Sequence, residues 1–350
     1  MVAFYSSLCY NVSWYALLFC ELSEKPVRRE IAVERKTIAI LLAVYEPNED
    51  WLCQLLDSLN AQTYPDLHLY VREDCSPTYP RERLEEALRQ HVTRFPYSVA
   101  YNEQNLGSNR TFARLVEDAS EPYIAFCDQD DVWLPDKLGN TLACLEANPE
   151  ATLACTNVSV MDGEGKEIAP TIDSHRKRHV FLRGKGLAKD LIYRNFVMGC
   201  TVVMERERAL SYLPFPAELV HDHYLAYRAA LDGSIEVLDT PQMRYRIYGG
   251  NQTGVMTGVQ TRADYRERRI EVFCNRVSCL SSYASFPELE EAAAWGEARR
   301  QNFDRVKGSF SALYRMRSIN PSTTYFELIA LRFPRPLFRL AIRMIRRGLL

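Results

Sequence analysis

The chain has 350 residues, enough for one large domain or two, and carries 43 Lys plus Arg against 45 Asp plus Glu. Its net charge of −2 gives no overall signal for nucleic-acid binding. Its 10 cysteines lack Cys-x-x-Cys or Cys/His ligand spacing, so they read as reduced thiols, which excludes a disulfide framework and points to the cytoplasm.

Residues 1–20 are apolar-leaning and uncharged, yet contain Ser6, Ser7, Asn11 and Ser13 and lack a basic leader and a small-residue cleavage site. The stretch reads as an arm at the surface or touching a membrane, joined by a charged linker that ends at residue 36. Residues 37–45 then form a near-continuous apolar run, suited to a parallel strand covered on both faces. Trp51, Leu52, Leu55, Leu56 and Leu59 recur at helical spacing after a turn at Glu46-Pro47-Asn48. Residues 67–72 alternate into a second strand that ends at Glu73-Asp74-Cys75-Ser76. A charged helix over 80–95, a short strand over 97–101, a loop at Asn105-Leu106-Gly107 and a helix over 110–119 follow. This alternation predicts a doubly wound α/β sheet, whose ligands sit at the carboxyl ends of the strands.

The next block is Tyr123-Ile124-Ala125-Phe126-Cys127-Asp128-Gln129-Asp130-Asp131-Val132-Trp133, followed by Pro135-Asp136-Lys137-Leu138. Three acids at a strand end repel one another and are costly to desolvate unless a cation neutralises them. Oxygen ligands at this density suit Mg²⁺ or Mn²⁺ shared with a substrate diphosphate; the alternative is an acidic, solvated turn. No Gly-x-Gly-x-x-Gly or Walker loop occurs, so phosphates have to be held by a metal and cationic side chains.

Beyond residue 150 the rhythm changes. Strands are expected over 151–161, 196–204, 235–238 and 243–247. Gly199 within the second of these suggests a close backbone approach. Residues 175–183 form a basic loop, either simply solvated or meeting an anionic acceptor. A helix over 219–231 begins Val220-His221-Asp222-His223. From 257 the pattern is helical over 262–284, 287–310 and 325–350, the last broken at Pro334 and Pro336. Residues 338–347 alternate apolar and basic positions, a profile that suits an anionic membrane surface or packing on the body of the protein.

Taken together and in order, these pieces resemble the family 2 glycosyltransferases of the GT-A fold, especially the bacterial rhamnosyltransferase-like branch. The matching residues are Ala43-Val44-Tyr45-Glu46, the segment 55–65, Arg72-Glu73-Asp74-Cys75-Ser76, Asn105-Leu106-Gly107, Asp128-Gln129-Asp130-Asp131-Val132-Trp133, Gly199-Cys200-Thr201, His221-Asp222 and Tyr245-Arg246-Ile247-Tyr248-Gly249-Gly250-Asn251. The resemblance covers about 37–255. It implies a mostly parallel, Rossmann-like α/β sheet flanked by helices, with a nucleotide-binding half over 37–135 and an acceptor half over 136–255. A helical extension over 256–350 lies outside the resemblance and is either membrane-associated or packed on the body of the protein.

The resemblance also implies roles. Ala43, Tyr45, Glu46, Asp74, Asn105, Asp128 and Arg246 would bind the donor nucleotide, Asp74 by accepting from its pyrimidine. Asp128, Asp130 and Asp131 would hold a divalent cation, with Asp130 the principal ligand. Asp222 would be the base, and its alternative is a first-turn acid facing the helix dipole. Trp133, Gly199, Cys200, Thr201, His221 and Tyr248 would position the acceptor. The expected partners are a dTDP- or UDP-sugar and a saccharide or lipid-linked saccharide, at the cytoplasmic face of the cell membrane and without nucleic acid. Two departures stand out: Glu73 replaces an Asp, and Tyr248 replaces a His that is a candidate metal or phosphate contact. A catalytically silent binding module on the same scaffold is the alternative function.

Overall fold

A computed structural model describes residues 36–176, 179–248, 256 and 258–346. The expected arm over 1–36 (except Lys36), part of the basic loop (Lys177, Arg178) and Gly249, Gly250 and Asn251 lie outside the described residues. The strands are β1 Ile38–Val44, β2 Leu67–Glu73, β3 Tyr97–Tyr101, β4 Tyr123–Cys127, β5 Val132–Trp133, β6 Ala151–Met161, β7 Glu167–Ala169, β8 Val203–Glu205 and β9 Ser234–Arg246. The helices before β9 are α1 Glu49–Asn60, α2 Arg81–His91, α3 Ser108–Asp118, α4 Lys137–Glu146, α5 Ile172–His175, α6 Ala188–Leu191, α7 Arg206–Ser211 and α8 His221–Asp232. After it come α9 Arg262–Tyr265, which continues through a π-helical turn into α10 Val272–Ser281, then α11 Pro287–Phe303, α12 Ser309–Arg315, α13 Pro321–Ala330 and α14 Arg335–Arg346.

One sheet runs β3-β2-β1-β4-β8-β6-β9-β5, with β7 beside β6. The first four strands are parallel, as the alternation of strands and helices predicts. Antiparallel ladders at β8 and β5 make the second half mixed. Residues of β1 alternate between two cores because successive side chains of a strand point to opposite faces. Ile38, Ile40, Leu42 and Val44 meet Leu52, Leu55, Leu56 and Leu59 of α1. Ala39 and Leu41 meet Phe112, Leu115 and Val116 of α3. Burying each of these leucines contributes roughly 2 kcal/mol, so the apolar run can only sit inside.

The acidic loop sets the curvature of the sheet. Residues 128–131 join β4, in the middle, to β5, at the edge beyond β9. Extended chain over those five steps reaches about 17 Å, whereas four flat strand spacings need about 19 Å. The sheet therefore curls so that β5 closes over it, and the three acids lie across the mouth of the curl.

Several expected elements differ. The strand over 196–204 is extended backbone, a 3₁₀ turn at Gly199–Thr201 and then β8, because the chain bends around the start of α8. The two strands over 235–247 are one strand, β9, whose register against β6 shifts between Thr156 and Ser159. The single helix over 287–310 breaks into α11 and α12 at Arg305 and Gly308, both with left-handed backbone. In α14, Phe338, Ala341 and Ile342 are buried, Phe338 and Ile342 against Tyr265, Ile270 and Leu331, while Leu337 and Leu340 stay exposed at 49% and 50%. Among the described residues no helix is long and apolar enough to cross a membrane.

Gly233 lets α8 turn directly into β9: a Cβ there would lie 2.4 Å from the Glu150 carbonyl oxygen and 2.6 Å from Thr152 Cγ2. Backbone cannot yield as a side-chain end can. Gly233→Ala is therefore expected to destabilise the protein by about 2 kcal/mol, read as a lower urea midpoint at unchanged slope.

Candidate active site

The acids at the end of β4 occupy unlike environments. Asp131 is fully buried; its Oδ1 accepts from the Arg246 amide at 2.9 Å, and its Oδ2 has no partner among the described residues. Asp128 is partly buried, and burial followed by the charges of Asp130 and Asp222 pushes its carboxyl up to about 7. Asp130 accepts a hydrogen bond from the Tyr248 hydroxyl. The Cys200 thiol lies beside the carboxylates of Asp128 and Asp131, and burial raises it well above the usual thiol range.

Ligand atoms of Asp128, Asp131 and Cys200 all lie within 4.8 Å of one another. The carboxylates fit a hard divalent cation, and the orphaned Asp131 oxygen is the kind of group such an ion satisfies. A protonated thiol is a hydrogen-bond donor, not a ligand for such an ion. Asp130, expected as the principal ligand, stands outside this converged group.

Asp222 enters from the first turn of α8. Its Oδ1 accepts from the His223 amide at 2.6 Å and its Oδ2 from the Gly199 amide at 3.3 Å. It is thus a first-turn acid held by backbone amides, and its charge acts on Asp128. Burial nevertheless outweighs those amides and pushes the Asp222 carboxyl up to about 6. Gly199 permits the arrangement: a Cβ there would meet His221 Nε2 at 3.0 Å and Asp222 Cβ at 3.3 Å.

Several residues expected to touch substrate are turned inward. The guanidinium of Arg246 is buried, donating to the Asp130 carbonyl at 2.8 Å, to Gln54 Oε1 at 2.7 Å and to the carbonyls of Asp162 and Gly163, and stacking over Trp51. It clamps the acidic loop through the Asp130 carbonyl, and its other donors go to Gln54, Asp162 and Gly163. Asp74 is 3% exposed and accepts from Asn102 Nδ2, Leu106 N and Gly107 N, so its carboxylate shapes the loop before α3.

Trp133 is 2% exposed and Thr201 is fully buried, its hydroxyl donating to the Met198 carbonyl. His221 lies 4.3 Å from Phe112 and 5.5 Å from Phe126, centroid to centroid, with both ring nitrogens unpartnered; burial pushes it down to about 3. All three side chains are buried in the core. Glu46 has left-handed backbone, and its carboxylate accepts from Thr78 and Tyr79. Tyr45 is exposed and bridged through its backbone to Gln129. Ala43 is partly buried at the end of β1, and Asn105 is exposed.

The sequence reading passed over Lys137. It is fully buried, with Nζ 3.3 Å from the centroid of the Trp133 ring and no hydrogen-bond partner among the described residues. Burial lowers it to about 8 against the pull of Cys127, Cys200, Asp131 and Asp128. The signal was the Trp-x-x-x-Lys spacing, which read only as a helix start. Gln54 was missed too; it looked like a polar position on an amphipathic helix.

Residues 39–207 match the family described as Glycosyl transferase family 2. The dTDP-rhamnosyl transferase RfbG of Shigella flexneri is 23% identical over 237 residues, which cover 64% of this chain and 77% of that protein. TuaG of Bacillus subtilis (strain 168), a glycosyltransferase assigned to teichuronic acid biosynthesis, is 26% identical over 174 residues, covering 48% of this chain and 63% of TuaG. Among solved structures, S. aureus TarS in complex with UDP-GlcNAc matches with a TM-score of 0.53 at 17% identity, over 89% of this chain and 92% of that one. The mannosyltransferase PcManGT from Pyrobaculum calidifontis, in complex with GDP-Man and Mn²⁺, matches with a TM-score of 0.52 at 15% identity, over 90% and 81%. Residues 39–207 are thus a glycosyl transferase family 2 region, the chain shares the GT-A-like fold of the TarS and PcManGT structures, and these similarities support a nucleotide-sugar-dependent glycosyltransferase.

Raised carboxyl pKa values mean that the native state holds protons the unfolded chain has released. Cation-free protein should therefore lose stability as pH rises from about 4 to about 7. Asp128→Asn is expected to stabilise the cation-free protein by about 1–2 kcal/mol at pH 7.5 while reducing the Tm increase caused by Mn²⁺. Thermal unfolding with and without MnCl₂ checks both halves. A variant that is less stable without the ion would mean that Asp128 is not under charge strain.

Proposed function

We propose that the protein is an inverting glycosyltransferase. It would move a sugar from a nucleoside-diphosphate donor to a hydroxyl of a saccharide or lipid-linked saccharide during cell-surface polysaccharide synthesis. The observation that carries this reading is the opposition of Asp222 and Asp128, near enough for the charge of one to raise the pKa of the other. In this reading a proton acceptor and a diphosphate-binding group would face each other. The likeness to RfbG supports a dTDP-sugar, rhamnose in particular, and the likeness to TarS supports a UDP-sugar.

In this reading the Asp222 carboxylate accepts the proton of the acceptor hydroxyl as that oxygen attacks C1 of the donor sugar. The bond from C1 to the diphosphate oxygen breaks, its electron pair leaves with the nucleoside diphosphate, and the anomeric centre inverts. A carboxylate with a pKa near 6 is ionised at neutral pH and is a stronger base than an ordinary Asp. The amides of Gly199 and His223 hold its two oxygens and fix the direction it faces.

Asp128, Asp130 and Asp131 would hold a divalent cation, Mn²⁺ or Mg²⁺, with Asp128 and Asp131 already converged. Such a cation stabilises charge on a departing diphosphate. Tyr248, in place of an imidazole, donates to Asp130 and so keeps that carboxylate oriented without adding a ligand nitrogen.

Asp222→Asn is expected to lower kcat by about 10²–10⁴ with little change in donor KM, measured as nucleoside diphosphate released with acceptor at saturating Mn²⁺. For the native enzyme, kcat/KM should rise tenfold per pH unit up to about pH 6 and then level, as the base loses its proton. A variant within a few-fold of native activity would remove Asp222 from this role, whereas a native protein that releases no diphosphate from any donor would favour a silent binding module.

A further inference from the structure

The C-terminal helices enclose a cavity of about 640 Å³ that none of the cleft residues lines, a size typical of small-ligand sites. Part of its wall is cationic. Arg268, Arg269 and Arg276 line it, and no carboxylate does. Arg299 lines it as well but is committed to Glu327, with Nη2 2.7 Å from Oε1, and the Tyr265 hydroxyl donates to the same oxygen at 2.9 Å. Within the described residues the other three arginines form no ion pair. Arg276 donates only to the Tyr193 carbonyl, at 3.4 Å, and is pushed down to about 10 by burial and by the charges of Arg269 and Arg299.

Ser322 and Thr323, in the first turn of α13, also face the cavity and add the positive end of a ten-residue helix. Other parts of the lining are apolar: Phe326, Ile329, Phe333 and Ile345 among them. Tyr325 and Ile329 line it while being 43% and 55% exposed, so they stand at its mouth. Leu337, Ala341 and Ile345 are spaced i, i+4, i+8 on α14 and share one stripe. Leu337, 49% exposed, therefore extends the apolar lip outward.

Unpaired arginines at a helix start suit a phosphate, and an open apolar lining suits hydrocarbon. A free anion would leave the lining unused, and a neutral hydrocarbon would leave the arginines uncompensated. We propose that this cavity binds a phosphate-bearing membrane lipid, with the headgroup against Arg268, Arg269 and Arg276 and the first units of the chain against Phe326, Ile329 and Phe333. The protein would then sit on an anionic bilayer through one bound lipid in addition to the basic face of α14. This site is separate from the sugar-transfer reading and stands or falls without it.

The test uses the full chain and three soluble probes, geranyl phosphate, geraniol and inorganic phosphate, titrated by calorimetry. Geranyl phosphate should bind at least about tenfold tighter than either of the others, and Arg269→Glu and Ile329→Glu should each weaken it about tenfold. Both substitutions fall at exposed positions, and thermal unfolding confirms that the variants are folded. The protein should also co-sediment with phosphatidylcholine vesicles containing phosphatidic acid, but not with phosphatidylcholine alone, and geranyl phosphate should compete. Equal binding of geraniol or of phosphate, native affinity in either folded variant, or sedimentation unaffected by competitor would each overturn the proposal.

Discussion

Repulsion among three carboxylates at the end of β4 is the constraint around which the rest of the molecule is arranged. Asp131 cannot leave, because its backbone continues into β5 and its side chain holds the Arg246 amide. The fold answers with two cations placed behind the acids. Arg246 pins the loop by its carbonyls, and Lys137 sits on the Trp133 ring within the field of Asp128 and Asp131. Neither cation neutralises the site fully, since both Asp128 and Asp131 remain harder to ionise than a free carboxylate. A site kept short of positive charge is what the proposed binding of a divalent ion and its diphosphate would require.

Enclosure acts on Asp222 as well. It is buried, so its charge is costly, and backbone amides, those of His223 and Gly199 among them, offset only part of that cost. A surface aspartate with those amides would be a weak base. Enclosure converts it into a group that ionises near pH 6. Its raised affinity for a proton comes from location more than from residue type.

Much of this was legible in the sequence. The apolar run of β1, the leucine spacing of α1 and the acid triplet all carry strong local patterns, and Gly199 marked a close approach that the bend at α8 requires. What stayed hidden were directions. Asp74, Arg246, Trp133 and His221 lie in motif positions, yet their side chains point into the fold, and motif order says nothing of which way a side chain faces. Lys137 and Gln54 were invisible for the opposite reason: each matters through a partner far away or buried, Gln54 through Arg246, 192 residues along the chain. The mixed half of the sheet was hidden as well, because a strand of three residues such as β8 carries no period.

In the proposed reaction the base and the acid clamp belong to one continuous piece of chain. Asp222 begins α8, Gly233 turns it without a linker, and β9 runs on to Arg246, which grips the acidic loop. The gap between proton acceptor and diphosphate would then be gauged by a caliper one helix and one strand long, and acceptors of different bulk would have to be accommodated by the surrounding loops instead of by its jaws.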